Sequence, residues 1–467
     1  MNRLTTDNLH FTEQVKKQFG EAPDLYFRQV GKTTLVYLLG IVNEQRVGQE
    51  IIEKIESNQN LTASDLKETT QFDKIVQSIL AGMIVIKHEG EERVLIANMS
   101  SSPHRSVENP ETETTLRGPH EGFTELMEMN AALIRRRVQS EHLQMLVWHI
   151  GSVSTTEVRL VYLRGTAPQH VVDEMTRRLS NLTLDSVLGS GSIEEMIRDH
   201  PLSIFPTMQT TERPDVVSRA LLNGKVAVLT ANTPFALMVP FQFWSAFIAI
   251  EDYYINFFSA TFLRLIRAAF IGLSILLPSL YVAITTFHLE MLPTNLLLSF
   301  TAQRETSPFP AIVEAIIMEI TFEALREAAV RLPRTISQTV SIVGALVIGQ
   351  AIVQAGIIST PMVIVVSLTG IASLTFPVYD MTYPFRILRF GLLLLAGSFG
   401  LFGIVIGLIF IAIYLTGLES AGIPYLSPLA PVNLKDFNDF IFRAPTWLLE
   451  NNKNKRSSNS SVKEPKS

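Results

Sequence analysis

From Val226 to Leu434 the chain contains no lysine, and its charges reduce to eight arginines and ten acids, while lysine-bearing sequence flanks it on both sides. Inside that stretch residues 335–379 hold no Asp, Glu, Lys or Arg at all. At a rise of about 1.5 Å per residue this run suffices for two passes through a hydrocarbon core roughly 30 Å thick, with a break at Ser359-Thr360-Pro361. Residues 390–418 are also uncharged, and 268–287 form another apolar run just after Arg264 and Arg267. The pattern predicts an all-α transmembrane helical domain over 236–433, with spans near 268–287, 336–358, 361–379 and 390–416. A fifth candidate, Val226–Ile250, is interrupted by Thr230, Asn232, Thr233, Pro234 and Pro240. Its first half reads as a strand and its second as an interfacial approach to the membrane.

The front of the chain reads as an α/β cytoplasmic domain of one lobe or two. Strand-like runs at Thr34–Val42, Met83–His88, Arg93–Met99, Val158–Arg164 and Lys225–Thr230 alternate with helical patterns at Val47–Glu56, Ala63–Leu80, Phe123–Leu146, Pro168–Leu182 and Ser192–His200. The polar, proline-broken stretch 100–116 divides an N-terminal lobe, 1–99, from a second lobe, 117–235. Arg135-Arg136-Arg137 is either a salt-bridged helical face or a docking patch for membrane or partner. Gly31-Lys32-Thr33 imitates the end of a phosphate loop, but its first glycine would fall at Tyr26 and a strand follows, so the motif is rejected. Gly189-Ser190-Gly191-Ser192 lacks a following lysine and reads as a turn capping the helix at Ile193.

The N-terminus carries charges throughout and no apolar signal core, which predicts a cytoplasmic front. After Leu434 the 434–467 tail holds seven Lys or Arg and is placed in the cytoplasm by the same charge rule. Both termini inside requires an even number of spans, in agreement with four. That topology, however, puts Arg326, Arg331, Arg334, Arg386 and Arg389 outside, which argues for a re-entrant segment. With no cysteine, disulfides and thiol chemistry are excluded. The nine histidines show no paired spacing for a metal, a net charge of −5 gives no reason to expect nucleic acid, and nothing points to an enzyme or a cofactor.

Residues 308–334 carry the chemistry worth following. On a helix Glu319, Glu323 and Glu327 fall within about 80° of one another, opposite Ile317, Ile320, Leu325, Ala328 and Leu332, while Glu314 lies about 180° from Glu323. Three readings stand. The segment is an interfacial helix with Glu327–Arg331 as an i,i+4 pair; or its carboxylates line a cation path in a ring of subunits; or one of them carries protons in a coupled transporter. In the last span Gly400, Gly403 and Gly407 form a small-residue face for close helix packing. Pro361, Pro377 and Pro384 interrupt the middle spans.

Taken together RGPHEGFTELMEMNAALIRRR (117–137), TERPD (211–215), EDYY (251–254), PFPAIVEAIIMEITFEALREAAVRLPR (308–334), IVGALVIGQAIVQAGIIS (342–359) and GLESAGIPYLSP (417–428) resemble the A-subunit family of bacterial spore germinant receptors, the GerA type. Order and spacing agree over roughly residues 90 to 430. At Leu39–Glu44 the sequence LGIVNE lacks an aspartate-glycine pair common among relatives. The resemblance implies a multi-pass protein of the inner membrane of a dormant spore. It also implies a transporter-like B subunit and a lipoprotein C subunit as partners, and a homo-oligomeric ring that opens as an ion channel when a germinant is sensed. A stage V sporulation AF-type protein, accessory to germination, shares the same fold and motifs. A proton-coupled secondary transporter is the other rival, although no convincing internal repeat relates 268–334 to 336–416.

Overall fold

The computed structural model describes residues 7–20, 22–57, 66–100, 110, 113, 117–304, 307–331, 349–432, 442, 443 and 445. The expected linker 100–116 and tail 434–467 therefore lie largely outside the described residues, as do residues 336–348 of the second expected span. The chain divides into two compact units, one comprising 1–201, 207–241 and 419–423, the other 202–206, 242–418 and 424–467.

The first unit holds two five-stranded sheets, antiparallel throughout. β1 (Leu25–Val30), β2 (Thr33–Leu38), β3 (Lys67–Thr69), β4 (Met83–His88) and β5 (Val94–Asn98) lie in the order β1-β2-β4-β5-β3. Every residue of β2 is buried because helices cover both faces of this sheet. On one side α1 (Asn8–Phe19) and a later helix, Phe72–Leu80, bring Phe11, Val15, Phe19, Ile75 and Ile79 onto Val36 and Leu38. On the other, α2, built from the contiguous pieces Glu44–Arg46, Val47–Ile52 and Glu53–Glu56, brings Val47 and Ile51 onto Leu35 and Tyr37. The period-2 alternation of β2 thus serves two cores. The rejected phosphate-loop imitation is the β1–β2 hairpin: Val30 pairs with Thr33 across Gly31-Lys32, and Gly31 takes φ 59.

The second sheet runs β6-β7-β9-β10-β8, with β6 at Leu143–Ile150, β7 at Thr156–Leu163, β8 at Gln209–Thr211, β9 at Val226–Thr230 and β10 at Ala236–Val239. With Phe72–Leu80 as α3, its helices are α4 (Met127–Arg137), α5 (Gln169–Ser180), α6 (Ser190–Ile197) and α7 (Pro214–Leu222); α4 and α7 cover one face, α5 and α6 the other. Three expectations are corrected here. The helix expected over Phe123–Leu146 ends at Arg137, and 143–150 is a strand, because its alternating Leu143, Met145 and partners pack onto β7 from Leu143–Leu163 to Ile150–Thr156. The helix expected from Ala63 begins at Phe72, after the strand Lys67–Thr69. The break expected between 235 and 236 precedes β10, which pairs with β9 and β8, so the sheet continues past it.

Arg135, fully buried, donates to both carboxylate oxygens of Asp24 at 2.9 Å and to the carbonyls of Ser140 and Leu143. Arg136 and Arg137 both reach Glu121. Of the two readings of this arginine triplet, the salt-bridged face holds. The GLESAGIPYLSP segment also has a structural role in this unit. Ser420 Oγ accepts from Phe241 N and donates to the Thr207 carbonyl, Ala421 N donates to Asp199, and Ala421 packs in the α5–α6 core.

The second unit is helical. It contains α8 (Phe257–Phe287), α9 (Thr294–Arg304), α10 (Ala311–Arg331), α11 (Thr360–Ser373) and α12 (Thr382–Thr416). Phe257–Phe287 and Tyr379–Thr416 are long and apolar enough to cross a membrane. The span expected at 361–379 is a shorter helix that stops at Ser373, ahead of Thr375-Phe376-Pro377, where a residue preceding proline is driven out of the helical region.

Candidate functional site

The largest departure from the expected helices is in α12. A continuous helix of 35 residues would be about 52 Å long, yet Phe385 near its start and Tyr414 near its end both lie against Phe205, with ring centroids 6.3 and 6.2 Å away. The chain reverses at Gly400, which has φ 64 and ψ −143, a conformation that a side chain strongly disfavours. A Cβ there would also sit 3.0 Å from Phe287 and His288. The expected span 390–416 is therefore two antiparallel arms, 382–399 and 401–416. Gly403 and Gly407 lie against their own chain: a Cβ on Gly403 would lie 2.2 Å from the Leu395 carbonyl oxygen, and one on Gly407 2.4 Å from a Leu392 methyl.

This hairpin fixes the two ends of the helical unit. At one end the Phe247 carbonyl accepts from Arg267, the Phe247 ring lies 6.5 Å from Phe385, and the α12 hairpin has both of its feet. At the other, Gly400 meets the end of α8 at Phe287 and His288, and the ring nitrogen of His288 accepts from Leu401 N at 3.4 Å. α10 enters beside the hairpin tip, where a Cβ on Gly397 would meet Ile312, and runs down to the feet, where it pairs with α12. α11 runs the same way, from Ser359 beside Glu314 to Ser373 beside Arg326.

The four glutamates of α10 separate into three environments. Glu314 is 1 % exposed, and its Oε2 accepts both the N–H and the hydroxyl of Ser359, at 3.1 and 2.6 Å. Ser359 is the residue preceding α11, so the carboxylate caps that helix across the bundle and opposes its positive N-terminal dipole. Glu319, also 1 % exposed, lies 3.1 Å from Arg389. Glu323 is held by three arginines at once: Arg389 at 3.1 Å, Arg386 at 3.3 Å and Arg326 at 3.5 Å. Glu327, out in the open, pairs among the described residues within its own helix, with Arg331 at 2.6 Å. The expected stripe of Glu319, Glu323 and Glu327 is thus split. Its upper two members belong to a hub of five charges between α10 and the first arm of α12, and Glu314 and Glu319 are inside the subunit.

Around the hub, Arg326 donates to Ser373 at 2.9 Å and lies over the Phe322 ring, while Arg386 donates to Thr382 at 3.1 Å and lies over Tyr383. The Nε groups of Arg386 and Arg389 are buried and have no hydrogen-bond acceptor among the described residues. Sequence reasoning missed Arg386 and Arg389 as partners. The available signal was their i,i+3 spacing in an otherwise uncharged run, opposite in sign to the i,i+4 pair Glu319 and Glu323. Arg326, Arg386 and Arg389 stand at the same end of the helical unit as Arg264 and Arg267, because α10 and the hairpin arm bring them there.

A second charged site explains the EDYY segment. Asp252, 1 % exposed, accepts from Arg264 at 2.9 Å and Arg267 at 3.1 Å. The Tyr253 ring lies between the guanidinium groups of Arg264 and Arg443, 5.3 and 5.5 Å away. Arg443 is buried and also donates to the Ile255 carbonyl, so this one residue of the expected basic tail is an anchor on the start of α8. Among the described residues no three His, Asp or Glu side chains converge in a way that would hold a metal ion.

Residues 13–455 match the family described as Bacillus/Clostridium GerA spore germination protein. The chain is 45% identical over 428 residues to the uncharacterized membrane protein YfkQ of Bacillus subtilis (strain 168), covering 89% of this chain and 83% of that one. It is 40% identical over 458 residues to spore germination protein KA of the same organism, covering 94% and 84%. Among solved structures, the N-terminal domain of the A subunit of the Bacillus megaterium spore germinant receptor GerK3 is similar at 27% identity and a TM-score of 0.41, covering 51% of this chain and 96% of that domain. With the family matched along nearly its whole length, the chain belongs to the GerA spore germination protein family.

Proposed function

We propose that the chain is the A subunit of a spore germinant receptor, a multi-pass protein of the spore's inner membrane that assembles as a homo-oligomeric ring and opens an ion path when a small-molecule germinant is sensed. A transporter-like B subunit and a lipoprotein C subunit complete the receptor. Family membership over residues 13–455 carries the receptor reading. The channel reading is supported by charged residues gathered in a helical unit otherwise apolar, where such groups commonly face water or one another.

The end bearing Arg264, Arg267, Arg326, Arg386, Arg389 and Arg443 is the cytoplasmic one under the positive-inside rule. With Arg331 toward the feet and Ser359 beside Glu314 toward the hairpin tip, this reading counts six crossings rather than four. The number stays even, both termini remain cytoplasmic, and no arginine of the hub is stranded outside. Glu327, exposed near the end of α10, and Glu323, the most open carboxylate of the hub, are the candidates for the ion path. Glu314 and Glu319 support them from inside the subunit.

The test is carried out on spores lacking this chain, exposed in turn to amino acids, sugars and nucleosides. Loss of potassium release toward at least one of these classes is the expected result. An unchanged response to all three overturns the receptor reading, and a strictly monomeric chain in native mass measurements overturns the ring.

A further inference from the structure

α10 is built in two unlike halves. All its buried residues, Ala311, Glu314, Ala315, Met318 and Glu319, fall in the first part. There Ala311, Ala315 and Met318 pack with Val282, Ile358, Met362, Val366 and Leu393. From Ile320 to Arg331 no residue is buried among those described: Ile320 is 56 % and Val330 72 % exposed. What ties this second half to its neighbours is charge and one apolar ring, Phe322, which packs against the edge of that cluster. Glu323 reaches Arg386 and Arg389, Arg326 reaches Ser373, and the Phe322 ring rests on Gly370, with no room there for a Cβ.

We infer that the second half of α10 is a movable arm and that the Glu323–Arg386–Arg389 hub is the latch holding it against the first arm of α12. The inference rests on the channel reading above for its consequence, the closed state, but not for the movement itself. An apolar contact resists separation in proportion to the area it hides, whereas an ion pair exchanges protein partners for water at little net cost once water reaches it. Elements that open locally have few buried apolar contacts and partly exposed polar ones, which describes Ile320–Arg331 and not Ala311–Glu319. The anchored half, capped onto α11 through Glu314, supplies the fixed end of the lever. When the latch parts, Glu323 loses the two cations of α12, Arg386 and Arg389, and keeps only Arg326 of its own helix, so its carboxylate is freed to attract a cation from solution and release and cation attraction are one event.

The groups facing Arg386 from α10 are Glu323 and Arg326, and those on its own helix are Arg389, Thr382 and Tyr383, the last of which also has Asp380 nearby. Arg386→Glu turns an attraction into a repulsion, and Glu323→Arg with Arg386→Glu restores the same charges in exchanged places. Because the chain has no cysteine, spin labels on Ala328→Cys and Ile387→Cys report the separation of α10 from α12 in the full chain, without any need for a germinant. In potassium-loaded phosphatidylglycerol liposomes Arg386→Glu is expected to lengthen that distance and raise potassium leak at least about tenfold, and the exchanged pair to reverse both. A distance that lengthens and reverts with no leak from any variant sustains the latch and overturns the channel reading. A distance unchanged by Arg386→Glu, or not restored by the exchange, overturns the latch whatever the leak.

Discussion

Arg135 and Asp24 show what a single residue can decide in this chain. The guanidinium is buried and fork-bonded to a carboxylate more than a hundred positions away, so removing one partner leaves the other charged and without its counter-ion in the interior. Arg135→Met is expected to lower the unfolding free energy of the first unit by about 3–5 kcal/mol, and Asp24→Leu added to it to recover much of that loss. Denaturant titration of the full chain followed by Trp148 fluorescence measures both. Glu113 makes a pH-dependent contribution. Burial pushes its carboxyl up to about 7, against the smaller pull of the Thr211 hydroxyl, which donates at 2.7 Å, and of Arg213. The folded chain then keeps a proton that the unfolded chain loses from its ordinary value near 4.5, and stability falls as pH rises between those two values and levels off above them. Glu113→Gln is expected to flatten that part of a thermal-midpoint profile; an unchanged slope counts against the assignment.

Among elements, the α12 hairpin carries the firmest expectation. Its two arms are about 27 and 24 Å long, each close to the thickness of a hydrocarbon core, and they touch where Gly403 and Gly407 leave space. Filling that space pushes a side chain into Leu395 backbone or Leu392, which overpacking data place at about 1–3 kcal/mol or more. Gly403→Leu should therefore lower the yield and melting temperature of the folded subunit. On sequence grounds the same change disturbs assembly between subunits. Size-exclusion of the variant separates the two: a subunit of normal stability with altered oligomer size would show that another chain, and not the first arm, is the partner. Gly407→Ala, a single methyl, is expected to have the same effect in weaker form.

At the scale of the whole molecule, the helical unit sorts its charges. Seven arginines, Arg264, Arg267, Arg326, Arg331, Arg386, Arg389 and Arg443, stand at the hairpin's feet or at the end of α10 that runs down to them, and α9 with the Gly400 turn lies at the opposite end. The proposed membrane topology rests on that sorting and is open to a direct measurement. Leu298→Cys on α9 is expected to react with a membrane-impermeant maleimide added outside intact protoplasts, and Phe442→Cys beside the start of α8 only after permeabilisation. Both side chains are exposed. The reverse pattern would invert the proposed orientation.

The sequence by itself determined where apolar surface must be hidden and which segments are covalently able to form strands and helices. β4 at Met83–His88 and β9 at Val226–Thr230 were legible to within a residue because alternation and β-branched side chains act locally. α10 was legible as a helix because helical period is a property of consecutive residues. The long helix expected over Phe123–Leu146 was misread past Arg137, since its strand half is selected by β7, a partner the local pattern does not contain. The tertiary structure alone decided that Gly400 reverses the chain, that Gly403 and Gly407 face their own preceding arm, and that Arg386 and Arg389 reach Glu319 and Glu323 across more than sixty residues. The reason is physical. A charge in an apolar run states only that a partner is required, and a glycine states only that close approach is permitted; which group comes near is set by how the helices pack.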